Sequence, residues 1–474
     1  MSSKFTKSNI PIAPGAVPGL GHTLRLMRDP FDWLLECGRA EAPITAVRLG
    51  SRSAYLVSDP DLVHDLLVGQ VAVFDKGGPI YERTRELIGN GLGTASHERH
   101  RQQRRLMQPA FTKPQIVSCA MVMAEESNAL TASWQPNTEI DLLADVTSTA
   151  MKVVTRTLLP AINAGEADNL ADQFEILLAG LLTRSALPSW ITRLPTPRNR
   201  RFERARADVW GITEEMVAAA RTQTDSDGLL HSLISTHTDD HEETFSDQDL
   251  RDQVLTLLIG GTETIAAAVT WLFYLLTLHP QAEERLHSEI DTVPAGAIAG
   301  PDDLPRLPFT ENVLLETMRL YPPVPLLSRI SVAAVELGGH SFPAGTDFYF
   351  SAHQLHHDPR FFSNPQRFDP GRWDTPCPSG ARRAYIPFGT GKRKCIGDTF
   401  AMTEAIILIS AIASQWRLRA VPGSRVRPQL RATLAPGGLR LIAEPRTRRT
   451  DIAAGTYMAG DPMPNSTGTN RSSF

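Results

Sequence analysis

The sequence predicts a mainly α-helical fold with small β regions, and three observations carry that reading. Apolar residues recur at spacings of three and four over most of the chain, the period of a helix with one buried face. Runs of β-branched and aromatic residues are few and short, and turn signals bound the clearest of them. Across 474 residues there is no repeat and no internal linker. The prior of about three domains for this length therefore yields to one domain over 21–446, preceded by an extended Pro/Gly-rich lead-in over 1–20 and followed by a disordered tail over 447–474.

The first ten residues are polar and lack both a signal-peptide core and an apolar run of about 20 residues, which implies a cytoplasmic protein with no membrane span. The segment 11–19 holds too many prolines and glycines for a helix. Residues 44–49 and 53–57 are β-rich around Gly50-Ser51 and read as a hairpin. Helices are expected at 118–134, 140–159, 169–182 and 202–221, then over the longest run, 250–278, which stops at His279-Pro280. The next, 309–320, is stopped by Pro322-Pro323. Short strands at 333–337 and 346–349 flank a Gly338-Gly339 turn, and after a last helix at 399–416 strand-like segments fall near 430–434 and 439–443. The tail is rich in Gly, Pro, Ser, Thr and Asn without apolar periodicity.

Composition excludes several classes. With 42% hydrophobic residues the chain can bury a large core. Forty-eight Lys+Arg against 52 Asp+Glu leaves −4, without the basic excess of a nucleic-acid binder. Four scattered cysteines make neither a disulfide framework nor a paired zinc site, which points to a reducing compartment.

One cysteine stands apart. The run 387–397, Pro-Phe-Gly-Thr-Gly-Lys-Arg-Lys-Cys-Ile-Gly, precedes a long apolar helix. It delivers the Cys395 thiol at a helix N-terminus beside three cations, each a feature that lowers a thiol pKa, so a thiolate is expected. Its glycines let the backbone approach something flat and bulky. The segment resembles the haem-binding loop Phe-x-x-Gly-x-Arg-x-Cys-x-Gly of the cytochrome P-450 family, with Phe388, Arg393, Cys395 and Gly397 at fixed positions. The resemblance implies haem b, with Cys395 as axial ligand of its iron.

Other landmarks of that family stand in order over about 11–445. Glu316-x-x-Arg319, 76 residues before the cysteine, resembles its Glu-x-x-Arg helix, and Phe368–Trp373 the segment that supplies a second arginine, Arg372. The resemblance makes these three a structural triad. Gly260-Gly261-Thr262-Glu263-Thr264, inside the longest helix, resembles the oxygen-activation segment. Glycines cost a helix about 1 kcal/mol each, and the resemblance implies that they make room for O2 here, with Thr264 and Glu263 guiding protons; Ile265 departs from the family's small hydroxyl residue. The run 100–105 looks like the family helix whose His100 and Arg104 reach the haem propionates, and Arg329 and Arg393 match its other propionate contacts. The segment 74–79, Phe-Asp-Lys-Gly-Gly-Pro, and Leu-Tyr-Pro-Pro at 320–323 look most similar to bacterial members that oxidise cyclic sesquiterpenes.

Taken together, these resemblances imply a haem-thiolate monooxygenase that inserts one atom of O2 into a small apolar substrate such as a cyclic terpene. Candidate pocket residues are Phe74, Pro79, Ile80, Leu257, Leu258, Val324, Pro325, Leu326 and Leu327. No dinucleotide fingerprint stands after a strand, so NAD(P)H acts only through a separate ferredoxin reductase and a ferredoxin. Lys392, Arg393, Lys394, Arg382 and Arg383 place positive charge where an acidic partner docks on a monomeric enzyme. A peroxide-driven peroxygenase, a fatty-acid or steroid hydroxylase and a haem-based sensor are the alternatives. His97-x-x-His100 and His353-x-x-His356-His357 have zinc-like spacings without the companion ligands, and the acidic run 239–243 reads as a solvated cluster.

Overall fold

A computed structural model of the protein describes residues 10–39, 42–50, 52–160, 162, 164–186, 189–222, 228–235, 244–294, 300 and 302–447. The first nine residues, the acidic run at 239–243 and the tail from 448 lie outside the described residues.

The helix Asp247–Leu278 is the axis of the molecule. Its start is set by a capping box: Ser246 Oγ accepts the Asp249 N–H at 3.1 Å, and the Asp249 carboxylate accepts the Ser246 N–H at 3.2 Å. Among the described residues it alone is long and apolar enough to cross a membrane, but 61% of its most apolar window is buried inside the protein. Its greasiness is that of a core helix. It packs along Leu142–Leu158 and against Pro197–Thr222 and Pro308–Leu320.

The expected helices are present with shifted ends, each for a local reason. The 118–134 helix starts earlier, as Lys113–Ser133, with Pro114 in its first turn. The 140–159 helix starts later, as Leu142–Leu158, because Asp141 caps it through the Ala144 N–H and Thr138–Ile140 is taken by a strand. The last helix, Asp398–Gln415, packs on Lys113–Ser133.

The largest sheet has five strands in the order Ile44–Leu49, Arg52–Val57, Asp347–Phe350, Leu327–Ser331, Phe74–Asp75. The first pair is the expected hairpin, in register Ile44↔Val57 to Leu49↔Arg52. The lead-in joins it where Ala46 N–H donates to Pro11 O at 2.8 Å. A three-stranded sheet orders Thr138–Ile140, Leu441–Pro445 and Trp416–Ala420. The 430–434 segment is not a strand: it is the turn of a hairpin between Arg427–Leu430 and Leu434–Gly437. Its apolar ends hide a reversal at Arg431-Ala432-Thr433.

Candidate active site

The cysteine loop is shaped by two left-handed glycines, Gly389 at φ +68 and Gly391 at φ +72. A Cβ on Gly391 would also stand 2.6 Å from the Leu67 carbonyl, so this position admits nothing larger. Cys395 N–H donates to Phe388 O at 2.9 Å, and Arg104 Nη1 pins the loop through Lys394 O at 2.6 Å. The three cations do not converge on the sulfur as expected. Arg393 turns away, donating to Asp75 Oδ1 at 2.5 Å and to Ala95 O at 2.8 Å, and Lys394 pairs with Asp398. Burial therefore dominates, and the Cys395 thiol is pushed up; Asp398 adds to this, while a backbone hydrogen bond from Gly397 and the charges of Arg104 and Lys394 oppose it. The loop alone does not make a thiolate; a coordinated metal ion does. Cys395 keeps exposed surface although enclosing protein raises its thiol. Gly260, midway along the central helix, is likewise exposed, with open space where a Cβ would stand. Both positions thus leave surface open to a bound group.

A cluster of cations gathers on one side. Helix His97–Met107 sets His100 and Arg104 one turn apart on a shared face. Burial, then the charges of Arg393, Lys76, Arg104 and Arg329, pushes His100 down to about 3. Arg329 is buried on the strand Leu327–Ser331, donating from Nη1 to Ser328 O at 2.7 Å. Lys76 Nζ donates to Gly93 O at 2.7 Å, and burial with Arg329 and Arg393 holds it well below the ordinary amine value. Sequence reasoning gave Lys76 no role of its own; the signal for one is that it comes directly after the strand Phe74–Asp75, which pairs with the Arg329 strand. Among the described residues, Lys76, Arg329 and Arg393 gather about Asp75, and Arg104 beside them is reached by Asp398. Such a surplus in a buried place calls for anions. A thiol on a glycine-relieved loop beside cations enough for two carboxylates fits an iron porphyrin with its propionates.

On the central helix, Thr264 Oγ1 donates to Gly260 O at 2.6 Å. The two glycines differ. A Cβ on Gly261 would lie 2.6 Å from Val154 Cγ2, so Gly261 serves close packing on the Leu142–Leu158 helix rather than room for a ligand. Burial pushes the Glu263 carboxyl up, Arg431 opposes this, and Glu175 adds to it. Ile265 is buried in the core.

Glu316 and Arg319 meet with neither exposed, Nε and Nη2 of the arginine on the two carboxylate oxygens at 2.8 and 2.9 Å. Arg372 Nε stands 3.5 Å from Glu316 Oε2. Trp373, unremarked in the sequence, donates to the same carboxylate at 3.1 Å. The pocket residues are only partly brought together. Phe74, Leu258 and Pro325 are buried: Phe74 stacks edge-on against Phe348 beneath the sheet, and Leu258 lies in the core, so neither offers surface to a ligand. Ile80 is exposed, and Pro79 stands in the first turn of Gly78–Ile88. Leu326 and Leu327 pack on core clusters beside and beneath the sheet; Leu257 and Val324 are half-buried. No cluster of three or more His, Cys, Asp or Glu among the described residues could hold a metal ion.

The sequence model of the cytochrome P-450 family matches residues 11–443. The chain is 40% identical over 438 residues to cyclooctat-9-en-7-ol 5-monooxygenase of Streptomyces melanosporofaciens, covering 92% of this chain and 95% of that one. It is 38% identical to pentalenene oxygenase of Streptomyces avermitilis, covering 92% and 97%. The crystal structure of the haem domain of a protein named cytochrome P450DA superposes with a TM-score of 0.83 over 93% of this chain and 98% of that one; at 24% identity it speaks to the fold alone. Loop, cation cluster, buried triad and family match lead to one conclusion: the chain belongs to the cytochrome P-450 family and is a haem-dependent monooxygenase.

Proposed function

We propose that the protein oxidises a cyclic terpene, with electrons from a ferredoxin served by a separate reductase, and works as a cytoplasmic monomer. The observation that carries the substrate class is high identity along nearly the whole chain to relatives named for oxygenation of pentalenene and of cyclooctat-9-en-7-ol.

In this reading Cys395 would hold the haem iron, and His100, Arg104, Arg329, Arg393 and Lys76 would meet its propionates. Bound haem supplies activation of O2 and transfer of one oxygen atom. The rest is done by side chains. Thr264, its own proton on the Gly260 carbonyl, presents oxygen lone pairs to the cavity and accepts a hydrogen bond there. Glu263, raised by burial, keeps its proton at a higher pH than an ordinary carboxylic acid, the direction that suits a proton donor.

The ferredoxin face shifts from the residues that the sequence suggests. Arg383 is paired with Asp61, Lys394 with Asp398, and Arg393 is turned inward. Of the expected residues Arg382 and Lys392 stay exposed, and Lys392 lines one cavity with exposed Arg101 and with Arg104 and Arg105 on the cysteine-loop side. A basic rim of this kind steers an acidic protein.

Titration of the ferric protein with cyclic sesquiterpenes and diterpene alcohols tests the substrate class. A spin-state shift with at least one, absent with fatty acids of equal size, is expected; no shift with any member overturns it. For the partner, Arg101→Glu should slow reduction by an acidic ferredoxin at low salt at least tenfold and lose that effect at high salt.

A further inference from the structure

Asp75 is the acid at which three parts of the chain meet. It ends the short strand Phe74–Asp75, pairs with Ile330 beside Arg329, and is buried. Donors from its own strand, from a helix start and from the cysteine loop converge on its carboxylate. Oδ1 accepts Arg393 Nη2 at 2.5 Å and the Lys76 N–H at 2.7 Å, and Oδ2 accepts the His97 N–H at 3.0 Å. His97 is the first residue of the helix His97–Met107, and Ser96 before it makes no side-chain cap bond. An N–H at this helix end is therefore met from outside the helix by Asp75, where the helix dipole also favours a carboxylate. The same helix carries His100 and Arg104, so the acid that fixes its start also fixes where those side chains are presented.

Arg393 brings the cysteine loop to the same point. Its Nη1 donates to Ala95 O at 2.8 Å while Nη2 is on Asp75, so the guanidinium spans the acid and the backbone just before the helix. The helix answers from its last turn, where Arg104 Nη1 donates to Lys394 O at 2.6 Å. Loop and helix are thus joined by two arginines, one from each, at the two residues directly before Cys395. The Lys394–Asp398 pair, by contrast, lies within one turn of chain and ties nothing distant. Without the Asp75 carboxylate, Arg393 retains the Ala95 carbonyl, a neutral acceptor that balances none of its charge. A guanidinium whose side chain is 4% exposed then loses the ion pair that directs it.

We propose that Asp75 is a positioning residue for the axial cysteine: it holds Arg393, and through Arg393 the loop, where Cys395 can bind haem iron. The proposal rests on Cys395 being that ligand. Asp75 acts by place as well as by charge, because three donors at 2.5, 2.7 and 3.0 Å from three directions admit one carboxylate position. A carboxylate moved outward by one methylene, as in Asp75→Glu, keeps the charge and loses that position.

The test uses the haem-loaded full chain and follows the reduced carbon-monoxide complex, whose Soret band tells thiolate-held iron from iron that has lost the thiolate. The rate at which the first form gives way to the second, without denaturant, reads how firmly the loop presents Cys395. Asp75→Asn and Asp75→Glu are each expected to raise this rate about fivefold or more, the effect of losing one charged hydrogen bond. A role in folding alone would lower the urea midpoint and leave this rate as in the parent. Arg393→Gln should raise the rate too, and adding Asp75→Asn to it should change it by less than about twofold, since the two residues act in series. If Asp75→Asn takes up no haem, Arg393→Lys carries the test: one ammonium cannot span Asp75 and Ala95 O, and a rate about threefold or more above the parent is expected. The proposal is overturned by a parent-like rate in Asp75→Asn or Asp75→Glu, by effects that multiply in full in the double variant, or by a parent-like rate in Arg393→Lys. A parent whose reduced complex never shows the thiolate band is a different result, and removes Cys395 as the ligand.

Discussion

Arg319 gives Nε and Nη2 to both oxygens of Glu316 and Nη1 to the carbonyls of His356 and Pro365, at 2.9 and 2.7 Å. One guanidinium therefore ties the helix Pro308–Leu320 to the segment that runs on to the cysteine loop. Glu316 does the same from its side, accepting the Asp369 N–H at 3.0 Å and Trp373 Nε1.

Because both charges are wholly buried, removing Glu316 strands the Arg319 cation and removing Arg319 leaves Glu316 only the Arg372 charge at 3.5 Å, a loss of about 3–5 kcal/mol in either case. Glu316→Ala and Arg319→Leu should each lower the urea midpoint by that measure and yield protein with little haem. Arg319→Lys should recover less than half of the loss, since an ammonium cannot reproduce the forked contact. Full stability in Arg319→Lys would show the pair to be a simple charge contact.

The adjacent glycines of the central helix invite opposite outcomes. Gly261→Ala would press a methyl group to 2.6 Å from Val154 Cγ2 and should cost about 1–3 kcal/mol by overpacking. Val154→Ala in the same chain should recover most of it. Gly260→Ala meets no atom within 4 Å, so helix propensity should raise stability by up to about 1 kcal/mol while the ligand spectrum changes. Equal melting shifts for the two alanines would refute this division.

Much of this architecture is legible in the sequence. Helix positions come from period, and the hairpin at 44–57 from β-rich runs around a Gly-Ser turn, because both are local. Glu316 and Arg319 pair at i, i+3, which a helix enforces. The direction of side chains set by distant strands is not legible. Arg393 meets Asp75 only because Phe74–Asp75 pairs with the strand after the Pro-rich turn, and that contact spans more than 300 residues of sequence. Lys76 enters the cation cluster through the same pairing. Phe74 and Leu258 look like pocket residues in a string of letters, yet sheet and helix packing turn them into the core. The reversal at Arg431 is hidden because a turn between two short β-rich runs reads as one strand.

Lys76 and Arg329 should govern how tightly haem is kept. Each supplies a cation to a cluster richer in cations than in carboxylates, where Asp75 is the acid that acts on Lys76, so each suits an added anion. Lys76→Met and Arg329→Met should speed haem transfer to apomyoglobin at least tenfold, equivalent to about 1.4 kcal/mol. Met keeps the apolar stem, so packing loss is small. Without added haem, the Lys76→Met apoprotein should be as stable as the parent or more so, because an unfavourable buried charge is gone. A variant that melts earlier as apoprotein and releases haem no faster would make Lys76 a structural residue.

The buried histidines of the segment after the sheet set an acid limit. Burial, with the charge of His357 second, pushes His356 down to about 3; burial pushes His357 down to about 4 and holds His353 well below its ordinary range. In the unfolded chain each takes a proton near pH 6.5. Between about pH 6.5 and 4 the unfolded state thus binds more protons than the folded one, so stability rises with pH across this window and is lost as pH falls. Each histidine contributes a slope of up to about 1.4 kcal/mol per pH unit. His357→Gln should lower stability at pH 7 through loss of its 2.8 Å contact with His353 O, yet flatten the fall between pH 6.5 and 5 by close to one proton. Urea midpoints at half-unit steps give both numbers. Parallel curves for the two proteins would mean that His357 is already charged in the folded state, and the acid limit would then belong to other groups.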